Sequence, residues 1–107
     1  MNIDRIKKLK EFVEQEPNDP FNIYALALEY LNYDSKTALT YFDQLLTEHP
    51  NYLPTYYHSA ETYWTNNERE KAETIYQNGI KLAKKIGDNN TLRELQNAYN
   101  NFLFDED

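Results

Sequence analysis

Cysteine is absent from the 107 residues, and glycine occurs only twice, at Gly79 and Gly87. The first absence excludes disulfides, thiolate chemistry and cysteine-based zinc sites. The second leaves few tight turns and no glycine-rich loop to cradle a phosphate. No run of about 18 apolar residues occurs, so no membrane-spanning helix is expected. Basic charge is also short, with 11 Lys and Arg against 18 Asp and Glu and a formal charge of −7. That balance argues against nucleic acid or an anionic membrane as the main partner. Asn2 excludes N-myristoylation. Met1-Asn2-Ile3-Asp4-Arg5 opens onto no apolar stretch of the kind a signal peptide needs, so a cytoplasmic protein is expected. What is present is ordinary for a soluble domain: 40% hydrophobic and 27% charged residues. The length fits one domain, at ~100–200 residues each.

Apolar residues recur at spacings of three and four, the helical period, and nothing alternates with period two. Ile3, Ile6, Leu9 and Val13 form one stripe, and Pro17 follows its end. A second helix is expected from Pro20 to about Leu31, with Asp19 before it and proline where a missing N–H costs little. Asn32-Tyr33-Asp34 reads as a turn, with Asp34 or Ser35 capping a third helix that runs to about Glu48 and is stopped by Pro50. Pro54 opens a fourth helix ending near Asn66-Asn67, where asparagine tolerates the left-handed backbone of a helix terminus. The fifth runs from about Glu68 to Ile86, before Gly87, with Lys81, Lys84 and Lys85 at the negative end of its dipole. Thr91 and Glu94 have capping-box spacing for a sixth helix that carries Leu92, Leu95, Tyr99 and Phe102 on one side.

The chain repeats itself. Pro17-Asn18 recurs as Pro50-Asn51, 33 residues later, and at that offset Ile23 meets Tyr56, Leu26 meets Ser59, Ala27 meets Ala60 and Tyr30 meets Tyr63. In the following helix Ala38, Phe42 and Leu45 become Ala72, Tyr76 and Gly79 at an offset of 34. This pattern resembles the tetratricopeptide repeat, a helix–turn–helix of about 34 residues. Ile23 and Tyr56 stand where that family has tryptophan, Leu26-Ala27 and Ser59-Ala60 stand for its Leu-Gly pair, and Tyr30 and Tyr63 for its tyrosine. The family's terminal proline is Pro50 in the first copy and Lys84 in the second, so the second copy's last helix can run on. The resemblance implies an all-α, right-handed superhelical stack of antiparallel helix pairs, with about six helices. Its divisions are an N-terminal half-repeat (1–17), a first repeat (18–50), a second repeat (51–86), a C-terminal capping helix (90–104) and an acidic tail (105–107). Half-repeats suit the ends of a stack, which need a solvated face.

The resemblance also implies a concave face lined by the first helix of each pair. Helical spacing turns Phe21, Tyr24, Leu28 and Leu31 toward it from the second helix. It adds Tyr57, Glu61 and Trp64 from the fourth, with His58 at the edge, and Arg93 and Asn97 from the sixth. Tyr24, Leu28, Tyr57, Glu61, Trp64, Arg93 and Asn97 are therefore the expected partner-binding residues, as groove contacts or as side chains that close the core. The family's clamp for a C-terminal carboxylate, made of Lys, Asn and Arg, is not expected: its positions hold Tyr24, Leu28, His58, Asn90 and Glu94.

Other chemistry is thin. His49 reads as a charge at a helix C-terminus. His58 and Glu61 stand at i, i+3 without a third metal ligand, and neither histidine has a readable nucleophile partner. Lys7, Lys8 and Lys10 are balanced by Glu11 and Glu14. No metal, cofactor or catalytic residue is expected. The reading is a non-catalytic protein-interaction module that holds a peptide or helix. Between Asp19 and Glu61 the acids Asp19, Glu29, Asp34, Asp43, Glu48 and Glu61 face only Lys36, so a partner segment with positive charge is expected. The alternative is self-assembly, as a homodimer that covers Leu92, Tyr99, Phe102 and Phe104, or a place in a larger complex.

Overall fold

Punctuation by proline, asparagine and aspartate sets the helix ends. A computed structural model describes residues 1–105; the last two residues of the expected acidic tail, Glu106 and Asp107, lie outside the described residues. The six helices are α1 (Ile3–Gln15), α2 (Pro20–Tyr30), α3 (Ser35–Glu48), α4 (Thr55–Thr65), α5 (Arg69–Ile86) and α6 (Asn89–Phe104), and no strand occurs among the described residues. Asn2, Asp19 and Asp34 cap α1, α2 and α3, each side chain accepting a backbone N–H of the first turn. Asn67 takes φ 64°, and the turn after α4 closes with the Glu68 N–H on the Tyr63 carbonyl and the Asn67 N–H on that of Trp64. Those two bonds satisfy carbonyls that the helix end would otherwise orphan.

One expected cap is corrected. Helix α6 starts at Asn89, and its cap is Asp88: the carboxylate accepts the Thr91 N–H at 3.0 Å and the Thr91 hydroxyl at 2.8 Å. Thr91 is therefore the third helical residue, and its hydroxyl is already committed to the true cap. The Asp88 carboxyl is held below the ordinary value of 3.8, first by the Thr91 backbone N–H and then by its hydroxyl. The Asp34 carboxyl is lowered too, by the Thr37 hydroxyl and then its N–H. Because folding depresses these pKa values, both caps contribute fully above the unfolded value and are lost as pH falls through the folded one. Asp88→Ala is expected to lower the thermal midpoint at neutral pH and to flatten its decline below pH 4, which thermal scans by circular dichroism would show.

The helices group into two compact units, Met1–Thr55 and Tyr56 onward. In the first, α2 packs between α1 and α3. The Arg5 side chain at the start of α1 pairs with Glu29 at the end of α2, with Nε 3.2 Å from Oε2, so those two helices run antiparallel. Ile23, Ala27, Ala38, Phe42 and Leu45 form one core cluster, and Ile6, Leu9 and Leu26 form a second under α1. Ala27 and Ala38 are wholly buried and let α2 approach α3 closely. Tyr30 stacks on Tyr41 with ring centroids 5.8 Å apart.

The second unit repeats the arrangement with other side chains. Ala60 and Ala72 are wholly buried, as their repeat partners Ala27 and Ala38 are. Ser59, which replaces Leu26, is buried with its hydroxyl donating to the Tyr56 carbonyl at 3.3 Å. Gly79 replaces Leu45, and a Cβ there would lie 2.7 Å from the Tyr56 Cβ. This glycine is where α5 meets the start of α4. Leu95 and Phe102 of α6 are buried against α5, and Tyr76 meets Phe102 at 5.5 Å and Tyr99 at 5.9 Å. Tyr99 also ties α6 to α5 through its hydroxyl, which donates to Glu73 at 3.0 Å and accepts from Gln77 at 3.0 Å. With Lys84 where the first copy has Pro50, α5 reaches 18 residues against 14 for α3.

Candidate partner-binding site

Helix α4 turns Tyr57, Glu61 and Trp64 outward because its other side, Tyr56, Ser59, Ala60 and Tyr63, is buried. Glu61 and Trp64 stand one turn apart and open onto a groove of about 730 Å³ that is also lined by Thr65, Asn67, Arg69 and Asp105. Trp64 is half-buried and rests edge-on against Phe102, centroids 5.4 Å apart at 79°. The core beneath it thus sets its orientation. Glu61 is exposed. Its carboxylate, with Tyr57, adds to burial in pushing the Tyr76 hydroxyl up to about 12, so Tyr76 stays a neutral donor at any physiological pH.

Sequence reasoning missed four residues of this lining, Thr65, Asn67, Arg69 and Asp105, and of these Arg69 is the most specifically held. Its guanidinium carbon lies 4.1 Å from the centroid of the Phe102 ring, and Nη2 donates to the Phe102 carbonyl at 2.8 Å. Nη1 is enclosed and has no hydrogen-bond partner. A cation in the first turn of a helix opposes the dipole, and that misfit was the available signal that a specific contact holds Arg69. With its charge turned onto an aromatic face and a carbonyl at the end of α6, the side chain closes the groove's inner wall. Glu61 and Asp105 leave the lining with an excess of acid.

The other expected residues fall elsewhere. Tyr57 is half-buried, its ring edge-on to His58 at 5.5 Å. Arg93 and Asn97 are exposed, with the Arg93 Nη2 donating to the Asn90 Oδ1 at 3.3 Å, and neither lines the groove beside Trp64. In the first unit, Tyr24 and Leu28 are half-buried and pack on the core cluster of Ile23 and Phe42. The Tyr24 ring lies 5.8 Å from Tyr52 and 6.5 Å from Phe42. Burial, then the Tyr52 phenol, raises its hydroxyl pKa. Phe21, by contrast, is 60% exposed. Among the described residues no three His, Asp or Glu side chains gather where they could hold a metal ion. No helix of the described residues is long and apolar enough to cross a membrane.

Comparison with known proteins decides the family. The tetratricopeptide repeat domain protein of Salinibacter ruber, known from a crystal structure, is 36% identical over 80% of this chain and 98% of its own, with a TM-score of 0.77. The chain belongs to the tetratricopeptide repeat family. A solution structure of a Salinibacter ruber tetratricopeptide repeat domain protein agrees, with 35% identity, coverage of 85% of this chain and 94% of that one, and a TM-score of 0.78. A Bordetella parapertussis protein at 19% identity covers 96% of this chain and 89% of its own, with a TM-score of 0.78, and shares the fold. No protein-family model matches the chain, and neither does any curated protein. The tetratricopeptide repeat is a helical solenoid whose general use is protein–protein interaction. The small–aromatic series of Ala38, Phe42, Ala72 and Tyr76 is buried as that architecture requires.

Proposed function

We propose that this tetratricopeptide repeat protein is a non-catalytic, cytoplasmic interaction module that grips an extended segment or helix of a partner protein. The observation that carries the proposal is the groove in which α4 presents an aromatic ring and a carboxylate one turn apart, Trp64 and Glu61, over a floor fixed by Phe102 and Arg69. Tryptophan is enriched among the side chains that anchor binding energy at protein interfaces, in pockets that exclude water. Glu61 and Asp105 favour a partner segment that carries lysine or arginine, whose aliphatic stem can lie on the indole while its charge meets the carboxylates. The same reading assigns contacts to Tyr57, Arg93 and Asn97 in the second unit and to Tyr24 and Leu28 in the first.

The test is capture from native lysate on the tagged protein, in parallel with Trp64→Ala, Glu61→Arg and a Lys81→Glu control, each first confirmed as helical. A hot-spot side chain contributes about 2 kcal/mol or more, so a true partner should be held roughly tenfold or more weakly by the two groove variants. Lys81→Glu should hold it as wild type does. Equal retention by all four proteins would place the binding surface outside the groove.

A further inference from the structure

Two further exposed surfaces stand apart from Trp64 and Glu61, one on the first helix and one at the end of the last. Along the outer face of α1, Asn2, Asp4, Arg5, Lys8, Leu9 and Phe12 line a second groove of about 570 Å³. Leu9 is 7% exposed and Phe12 43%, so the groove has an apolar base and one apolar wall. Arg5 and Lys8 stand one turn apart on its rim against one acid, Asp4, which leaves the lining with a single excess positive charge. The Arg5 Nε is held by Glu29 at 3.2 Å, while Lys8 has no ion-pair partner among the described residues.

The C-terminal end of α6 is the chemical complement. Leu103 is 46% exposed and Phe104 84%, the highest exposure of any large hydrophobic side chain among the described residues. Asp105 follows, and the next two residues in the sequence are also acidic. Tyr99 is packed on Tyr76 and Phe102, and Phe102 is 1% exposed, so the apolar surface left at the C-terminal end of α6 is the Leu103–Phe104 tip. In repeat register α6 matches a first helix and α1 a second helix, the order in which helices pair within a repeat.

We propose that the Leu103–Phe104–Asp105 end of one copy docks in the α1 groove of a second copy, head to tail. Phe104 seats against Leu9 and Phe12, and the Asp105 carboxylate meets Lys8. The two surfaces differ, so the contact is heterologous and each added copy presents a fresh groove and a fresh tip. A patch this small falls at the weak end of protein interfaces. Association is therefore concentration-dependent, and salt weakens it through the charged rim. It shares Asp105 with the partner reading above, whose groove that carboxylate also lines, while Trp64 and Glu61 belong to that groove alone.

Sedimentation velocity on the full chain from micromolar to millimolar protein tests it. The average mass is expected to climb from the 12.8 kDa monomer as concentration rises, and to fall back when salt is added. Lys8→Glu and Phe104→Ser, both at exposed positions and both checked for helical content, should each remain monomeric when alone. Mixed in equal amounts they should form a dimer and nothing larger, because each retains one working end. A wild type that stays monomeric throughout overturns the proposal. So does association that survives both substitutions, or a mixture of the two variants that remains monomeric.

Discussion

Gly79→Leu is expected to unfold the second unit, although leucine is the residue that the first repeat carries at the matching position, Leu45. Helix α5 crosses the first turn of α4 so closely that a Cβ on residue 79 would lie 2.7 Å from the Tyr56 Cβ and 3.2 Å from the Leu95 Cδ1. The Tyr56 atom is attached to the α4 backbone, so relief requires moving a helix rather than a rotamer. Overpacking of a tight core costs about 1–3 kcal/mol for small additions, and leucine adds four carbons. Gly79→Ala separates the effects. Alanine gains about 1 kcal/mol in helix propensity over glycine, yet the clash should leave that variant about 1–2 kcal/mol less stable than wild type. Urea unfolding followed by circular dichroism would measure both. An alanine variant more stable than wild type would mean that α4 and α5 separate at little cost.

Phe102→Ala should be the second large loss. Phe102 is 1% exposed, and its ring is touched by Trp64, Tyr76 and Tyr99 and covered by the Arg69 guanidinium. Truncating a buried phenylalanine costs about 3–5 kcal/mol. Losing the ring beneath a cation adds about 0.5–2 kcal/mol. A domain has only about 5–15 kcal/mol of stability in total, so Phe102→Ala should be largely unfolded at modest urea. Phe102→Leu refills most of the volume but offers no face to Arg69 and no ring to Trp64. It should cost about 1–2 kcal/mol while changing the emission of Trp64, the chain's single tryptophan. Leucine and alanine variants of equal stability would show that the aromatic contacts, not the volume, hold the α5–α6 seam.

These two positions show what a linear sequence can and cannot carry here. The helices and the repeat were legible because Pro17, Pro50, Asp19 and Asp34 mark boundaries and because Ala27, Ala60, Ala38 and Ala72 recur at the repeat period. That Gly79 belongs to the buried small–aromatic series was legible too. That it must be glycine was not, because the reason is a distance to Tyr56. Two competing caps overlapped at the start of α6, Asp88 with Thr91 and Thr91 with Glu94, and only the geometry of the Thr91 hydroxyl separates them. In the groove, Glu61 and Trp64 follow from one-turn spacing on a single helix. Arg69 reaches the Phe102 carbonyl across 33 positions of sequence, a contact that no local pattern encodes.

With Trp64 proposed as the anchor of partner binding, its fluorescence reports that binding most directly, because no other tryptophan contributes. The measurement is a titration of the protein with a lysine-rich peptide, and then with the segment of any captured partner, followed at the Trp64 emission maximum. The expected result is a saturable shift that weakens as salt is raised and is reduced about tenfold or more in apparent affinity by Glu61→Gln, the range of a desolvated interface charge. Binding detected by another method that leaves the emission of Trp64 unchanged would contradict it.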